Sequence, residues 1–399
     1  MKKNGIISQN SVLYGSLFML IFLTSSFVIT NNIISSVATI GLWLLTFFLL
    51  FLKWNKNVNP QLLFVAFVSL GCIWTTNIIR NENIRNTVVL SFAFLTALLF
   101  VVNYSFLEFK KAYIQIMKII CSISLVLFIL YLLLPFLNNF FVVKNANGLS
   151  YSNLYIYVNS AAHIRNMSMF WEPGAFQTFV ALALLFEVVN ESPNIKTIAI
   201  FIISIITTFS TTGYFALAMI FLVVMLDRKY ENQKIRRAIL CVILVLVILA
   251  FGNQELLFST NSSTVFGKLI GFFNNRDYNR YDSFNSASVR YFAIIKPAEA
   301  FIRSPIFGWG YQGLNLETIQ YTHGMNTCTF INWFATYGVL FGSIMIVGCN
   351  KLVVMLYKDF SRRIAVLLVF FTITASENYV NNAFIWGLVL WGYKETIVN

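Results

Sequence analysis

Three short segments hold most of the residues able to do chemistry. The first, 165–174, reads RNMSMFWEPG. Arg165 and Glu172 stand seven residues apart, so a helical approach would align them on one side. Pro173 suits the first position of a helix, with Glu172 before it as a possible cap. A helix starting there presents unpaired N–H groups and the positive end of its dipole, which makes an anion site beside a guanidinium. The second segment contains Arg290 in SASVRYF, followed by SPIFGWGYQG at 304–313. The third is THGMNT at 322–327, with His323, one of two histidines; His163 is the other, without a comparable context. An imidazole titrates at about 6.5 when unperturbed, so it can accept a proton near neutral pH. The set therefore combines cations that hold an oxyanion with two candidate bases, His323 and Glu172.

Other residues extend this set. Trp171, Trp309 and Tyr311 offer flat faces for stacking, and Asn326 offers an amide. Asn326 or Thr327 could also cap the helix that follows. Glu377, between the last two apolar stretches, reads either as a solvated loop carboxylate or as a functional group near membrane depth. Gly308, Gly310 and Gly313 spell GxGxxG, but without the strand–turn–helix setting that a dinucleotide site requires. The glycines more simply permit tight turns. No metal-ligand spacing and no phosphate-loop motif is visible, so any reaction would run on an already activated substrate, with no metal or cofactor.

The chain around these residues is a membrane protein by composition. Of 399 residues, 58% are hydrophobic and 11% charged, with mean hydropathy +0.74. Soluble domains carry about 25% charged residues. Twelve apolar stretches are long enough to span or nearly so: 11–30, 33–52, 61–76, 88–102, 114–137, 175–189, 197–210, 214–226, 238–251, 330–352, 364–375 and 382–393. The expected fold is all-α, one integral membrane domain over 1–399 with about twelve spanning helices. The five cysteines lie in or beside these runs without a CxxC pair and read as small buried hydrophobes.

The net charge of +13 does not indicate nucleic acid, because the basic residues fall in short loops. Lys2, Lys3, Lys53, Lys56, Lys110, Lys111, Lys196 and the runs 228–237 and 358–363 share one face. The opposite short loops hold only Arg80 and Arg85. That asymmetry puts both termini in the cytoplasm. Two large loops, 138–174 and 252–327, then fall outside, and their aromatic, polar content predicts order. Within the second, 286–303 reads as an interfacial helix kinked at Pro297, with Phe292, Ile295 and Phe301 dipping toward lipid headgroups.

Taken together and in this order, the three regions resemble the O-antigen polymerase and ligase superfamily (Wzy/WaaL type). The residues that carry the resemblance are Arg165 with Glu172-Pro173-Gly174, Arg290 with 305–310 (PIFGWG), and His323 with Asn326 and Gly338. The resemblance implies a metal-independent membrane glycosyltransferase, GT-C-like, in the inner membrane. It would move a glycan from undecaprenyl diphosphate to an acceptor sugar hydroxyl on the outer face, without a cofactor. Arg165 and Arg290 would bind the diphosphate, with Trp171, Trp309, Tyr311 and Asn326 around the glycan. His323 or Glu172 would be the base. The two-residue gap between His323 and Asn326 favours the polymerase branch over the ligase. The expected partners are the lipid-linked oligosaccharide, membrane lipid and a chain-length regulator, with no nucleic acid. A flippase or other transporter is the competing class, but no internal repeat of the kind transporters show is visible.

Overall fold

The computed structural model of the protein describes residues 9–54, 58–145, 148–160, 165–227, 286–322 and 326–394. Fourteen α-helices lie among them. The first nine are α1 Gln9–Ser25, α2 Phe27–Thr30, α3 Ser36–Phe51, α4 Pro60–Ile79, α5 Ile84–Asn103, α6 Phe106–Leu133, α7 Pro173–Val189, α8 Ile195–Thr207 and α9 Thr211–Leu226. Five follow: α10 Ser286–Arg303, α11 Tyr311–Thr322, α12 Thr329–Leu356, α13 Phe360–Ala375 and α14 Ala383–Lys394. A helix covers eleven of the twelve apolar stretches, and 238–251 lies outside the described residues. By length and composition, α4, α5, α6 and α12 are able to cross a membrane. The chain is a mostly helical, polytopic membrane protein.

Local sequence sets the helix starts. Ser105 and Glu108 form a reciprocal capping box at α6. Asn59 caps α4 ahead of Pro60, and Asn194 and Asp359 cap α8 and α13. Residues 174–188 of α7 and 383–393 of α14 are buried on every face, so these two helices form the centre. Their aromatic rings meet there: Phe384 lies 5.0 Å from Phe179 and 5.1 Å from Tyr113, and Trp391 lies 4.1 Å from Phe109. Helices α12 and α14 touch backbone to backbone, because a Cβ at Gly392 would collide with the Gly348 carbonyl oxygen. Large apolar side chains such as Phe64, Phe67 and Val126 point outward, as a lipid-facing surface requires.

Two expectations need correction, and α10 adds detail. The first stretch is two helices, because Ser26 is extended and Phe27 N–H donates to the Met169 carbonyl (2.8 Å). The fold is not purely helical: β1 Val142–Lys144, β2 Ser150–Asn153 and β3 Val158–Ser160 form an antiparallel sheet in order β1-β2-β3. Val142, Val143, Tyr151 and Val158 have the β-branched or aromatic side chains that suit strands, and Gly148 turns with φ +78°. Pro297 lies inside α10, where the sequence places it. Phe292 and Phe301, both half-buried, pack on Tyr321 (5.6 Å) and Phe334 (5.5 Å) of α11 and α12.

The glycine-rich segment 304–310 is built into α12. Gly338 breaks that helix with φ 82° and ψ 179°, leaving backbone groups without helical partners. The loop supplies them. Trp309 and Gly310 N–H donate to the Ala335 and Thr336 carbonyls (2.9 and 3.0 Å), and Val339 N–H donates to the Pro305 carbonyl (2.7 Å). A broken helix at membrane depth is tolerated where protein satisfies its backbone in this way. Arg80 holds the loop from the other side, its Nε donating to the Gly308 carbonyl (2.9 Å) and its Nη2 to Ser304 Oγ.

Candidate active site

The site forms at the start of α7. The approach to it, 165–172, is not helical; it is an extended, turned segment with Ser168 at φ 51°. Helical spacing therefore does not align Arg165 with Glu172. Hydrogen bonds to the end of α8 position them. Asn166 N–H donates to the Thr207 carbonyl (2.9 Å), and the Asn166 amide donates to Thr207 Oγ1 and accepts from Ser124. Arg165 Nε donates to the Thr208 carbonyl (2.9 Å). A guanidinium is favoured there, because the last carbonyls of a helix carry partial negative charge. Among the described residues the two Nη nitrogens of Arg165 have no hydrogen-bond partner.

Glu172 is the N-cap residue of α7, but its side chain makes no capping bond. Its carboxyl instead lies beside that of Glu377, from the segment between α13 and α14. Gly174 makes room for both: a Cβ there would collide with Oε1 of Glu377 and lie 3.4 Å from Oε1 of Glu172. Glu377 is only 6% exposed, so it is not a solvated loop carboxylate. Thr329, at the start of α12, fixes its backbone by donating to the Glu377 carbonyl (2.8 Å) and accepting from Tyr379 N–H (2.9 Å). Ser376 is tied to the first turns of α7 through Gln177 (3.2 Å) and Thr178 (3.1 Å). The Trp171 side chain lies near the Glu377 carboxyl, and its ring lies 5.8 Å from that of Tyr379.

Arg290, half-buried in the first turns of α10, completes the set. Its charge acts on both Arg165 and Glu377. Burial lowers the proton affinity of Arg165, Glu172 offsets this, and Arg290 adds to it. An arginine stays charged under such shifts. Burial raises the proton affinity of Glu377 well above the ordinary carboxyl range. The adjacent Glu172 carboxyl acts in the same direction, and Arg290 and Trp171 act against them. The result is two guanidiniums close enough to act by charge on two adjacent carboxyls, an arrangement able to hold an anion and to move a proton.

The other candidates have different partners. Trp309 donates its indole N–H to the Ala300 carbonyl (2.7 Å) and lies between Arg80 (4.9 Å) and Arg303 (5.3 Å). Tyr311 opens α11, with Asn315 and Glu82 as its neighbours; burial is the main cause raising its hydroxyl, and Asn315 opposes it. Asn326 is fully buried, accepting from Thr318 Oγ1 (3.0 Å), donating to Asn315 Oδ1 (2.9 Å) and accepting at its carbonyl from Asn332 (2.6 Å). The N-cap residue of α12 is Cys328, not Asn326 or Thr327. His323 and His163 lie outside the described residues. Sequence reasoning left out of the candidate set the residues that assemble the site, Glu377, Gly174, Asn166 and Thr329. Only Glu377 carried a signal, as an ionisable group near membrane depth.

Residues 197–346 match the family model described as O-antigen ligase (Wzy_C). The match spans α8 and α9, then Arg290, the loop 304–310 and the Gly338 break. No curated protein and no solved structure matches the chain. The O-antigen ligase domain over 197–346 supports membership of the Wzy/WaaL superfamily, to which both polymerases and ligases belong.

Proposed function

We propose that the protein is a membrane glycosyltransferase that polymerises the lipid-linked repeat units of an O-antigen or capsular polysaccharide. The donor glycan is carried on undecaprenyl diphosphate, and the acceptor is a sugar hydroxyl of a second lipid-linked unit, on the outer face of the inner membrane. The observation that carries this reading is the gathering of Arg165 and Arg290 around the Glu172–Glu377 pair at the start of α7.

The chemistry fits those groups. As the glycosidic bond breaks, negative charge develops on the departing diphosphate. Guanidiniums bind phosphate oxygens bidentately, and fixed charges placed where charge develops are usually the largest catalytic contribution. The acceptor hydroxyl must lose a proton, and Glu172 or His323 takes it in this scheme. Trp171 lies at the mouth of the pair, where a ring can stack on a sugar. Trp309 and Tyr311 shape the second loop around the glycan. A ligase that moves finished glycan to another acceptor is the second reading, favoured by the description of the matched family.

Deletion of the gene separates the two. A polymerase leaves single repeats on the final acceptor; a ligase leaves long chains on the lipid carrier. Unchanged glycan length and linkage in the deletion strain would refute both.

A further inference from the structure

We infer that Glu377 is a positioning residue for proton transfer: it shares a single proton with Glu172, and the two carboxyls act as one base. The inference rests on the glycan-transfer reading above and adds to it a group outside the candidate catalytic set.

The geometry carries it. Two carboxyls set against one face of Gly174, one of them buried, favour a proton held between them, because two adjacent carboxylates repel and neither can donate. Glu377 is buried, whereas Glu172 is half-buried. The charged and titratable groups facing the pair come from several elements. They are Arg165 from the approach to α7, Arg290 from α10, Tyr379 from the segment before α14 and Tyr151 from β2. With one proton the pair carries a single negative charge against two guanidiniums. A net positive charge is left for an anionic substrate to neutralise.

A shared proton also suits the reaction. A lone carboxylate beside two guanidiniums is a poor base, and a base works best with proton affinity near the operating pH. The adjacent Glu172 carboxyl helps to raise the proton affinity of Glu377. In the transfer step the acceptor O–H bond breaks and its proton goes to the free oxygen of Glu172, making the pair neutral. The acceptor oxygen bonds to the anomeric carbon of the donor. The bond from that carbon to the diphosphate oxygen breaks, and its electron pair leaves with the diphosphate, between Arg165 and Arg290. Release of one proton to water resets the pair.

Two measurements on the purified full-length protein test this. The first is infrared spectroscopy at neutral pH, without substrate. The wild type should show the carbonyl stretch of a protonated carboxyl; Glu377→Gln should lose it, and Glu172→Gln should shift its frequency because the proton loses its acceptor. Absence of the band in the wild type, its survival in Glu377→Gln, or an unmoved frequency in Glu172→Gln overturns the shared proton. The second is the pH–rate profile, with the lipid-linked repeat that accumulates in cells lacking the protein as substrate. In Glu377→Gln the acid limb should move to lower pH by about one unit or more, and the plateau rate should fall. Gly174→Ala changes no titratable group but drives the carboxyls apart, and it should shift the limb in the same direction. A uniform loss of rate with an unmoved limb in both variants makes Glu377 merely structural and overturns the inference. Absence of transfer by the wild type would instead refute the functional reading, whatever the infrared result.

Discussion

The carboxyl of Glu377 lies against that of Glu172, across the bare face of Gly174. Burial is the main cause holding the proton on Glu377 above its ordinary value of 4.5. A group whose proton affinity is raised by folding stabilises the fold fully below its ordinary value, and that contribution is lost as pH rises through the folded value. The melting temperature of the wild type in detergent should therefore decline from mildly acidic toward alkaline pH. Glu377→Gln, which keeps the shape and cannot ionise, should flatten that decline and match or exceed the wild type at alkaline pH. Parallel curves for the two proteins would contradict the assignment.

The carbonyl of Ile306 occupies the space that a side chain on Gly338 would need. Gly338 also has φ 82°, a region that other residues rarely adopt. Gly338→Ala should cost at least about 1–3 kcal/mol from backbone strain, before the collision is counted. Thermal unfolding would show it as a lowered melting temperature. An unchanged value would mean that the loop does not seat in the helix break.

Glu82 Oε1 accepts from the backbone N–H of Gln312 (2.6 Å) and Gly313 (3.3 Å), at the start of α11. A carboxylate there satisfies orphan donors and faces the positive end of the helix. Glu82→Ala should destabilise by about 0.5–2 kcal/mol. Protease cleavage within 304–322 should also become faster, because the loop and helix are held from this side. Equal cleavage rates would rule the cap out.

Much of the helical layout was legible in the sequence, because apolar runs of membrane length force helices whatever their neighbours do. The β1–β3 sheet was not, since its strands of three or four residues are too short for alternation to show. The break at Ser26 was hidden for a related reason: an apolar run does not reveal that Phe27 will pair with Met169. At the site, Arg165, Glu172 and Arg290 were readable as cations and an acid in outer loops, and the structure brings them together. Glu377 was not chosen, because a carboxylate in a short loop looks solvated until Thr329 and Gly174 are seen to bury it. Trp309 reads as a stacking residue in the sequence, and its indole N–H and both faces prove to be engaged by Ala300, Arg80 and Arg303.

The central claim is that Arg165 and Arg290 together hold a departing diphosphate during glycan transfer. The direct measurement is extension of a purified lipid-linked repeat by the purified protein in liposomes, with glycan length resolved on gels. The wild type should produce a ladder of longer lipid-linked glycans. Arg165→Ala and Arg290→Ala, at equal protein levels, should each be slower by about 10²- to 10³-fold. Extension by either variant at the wild-type rate would contradict the account.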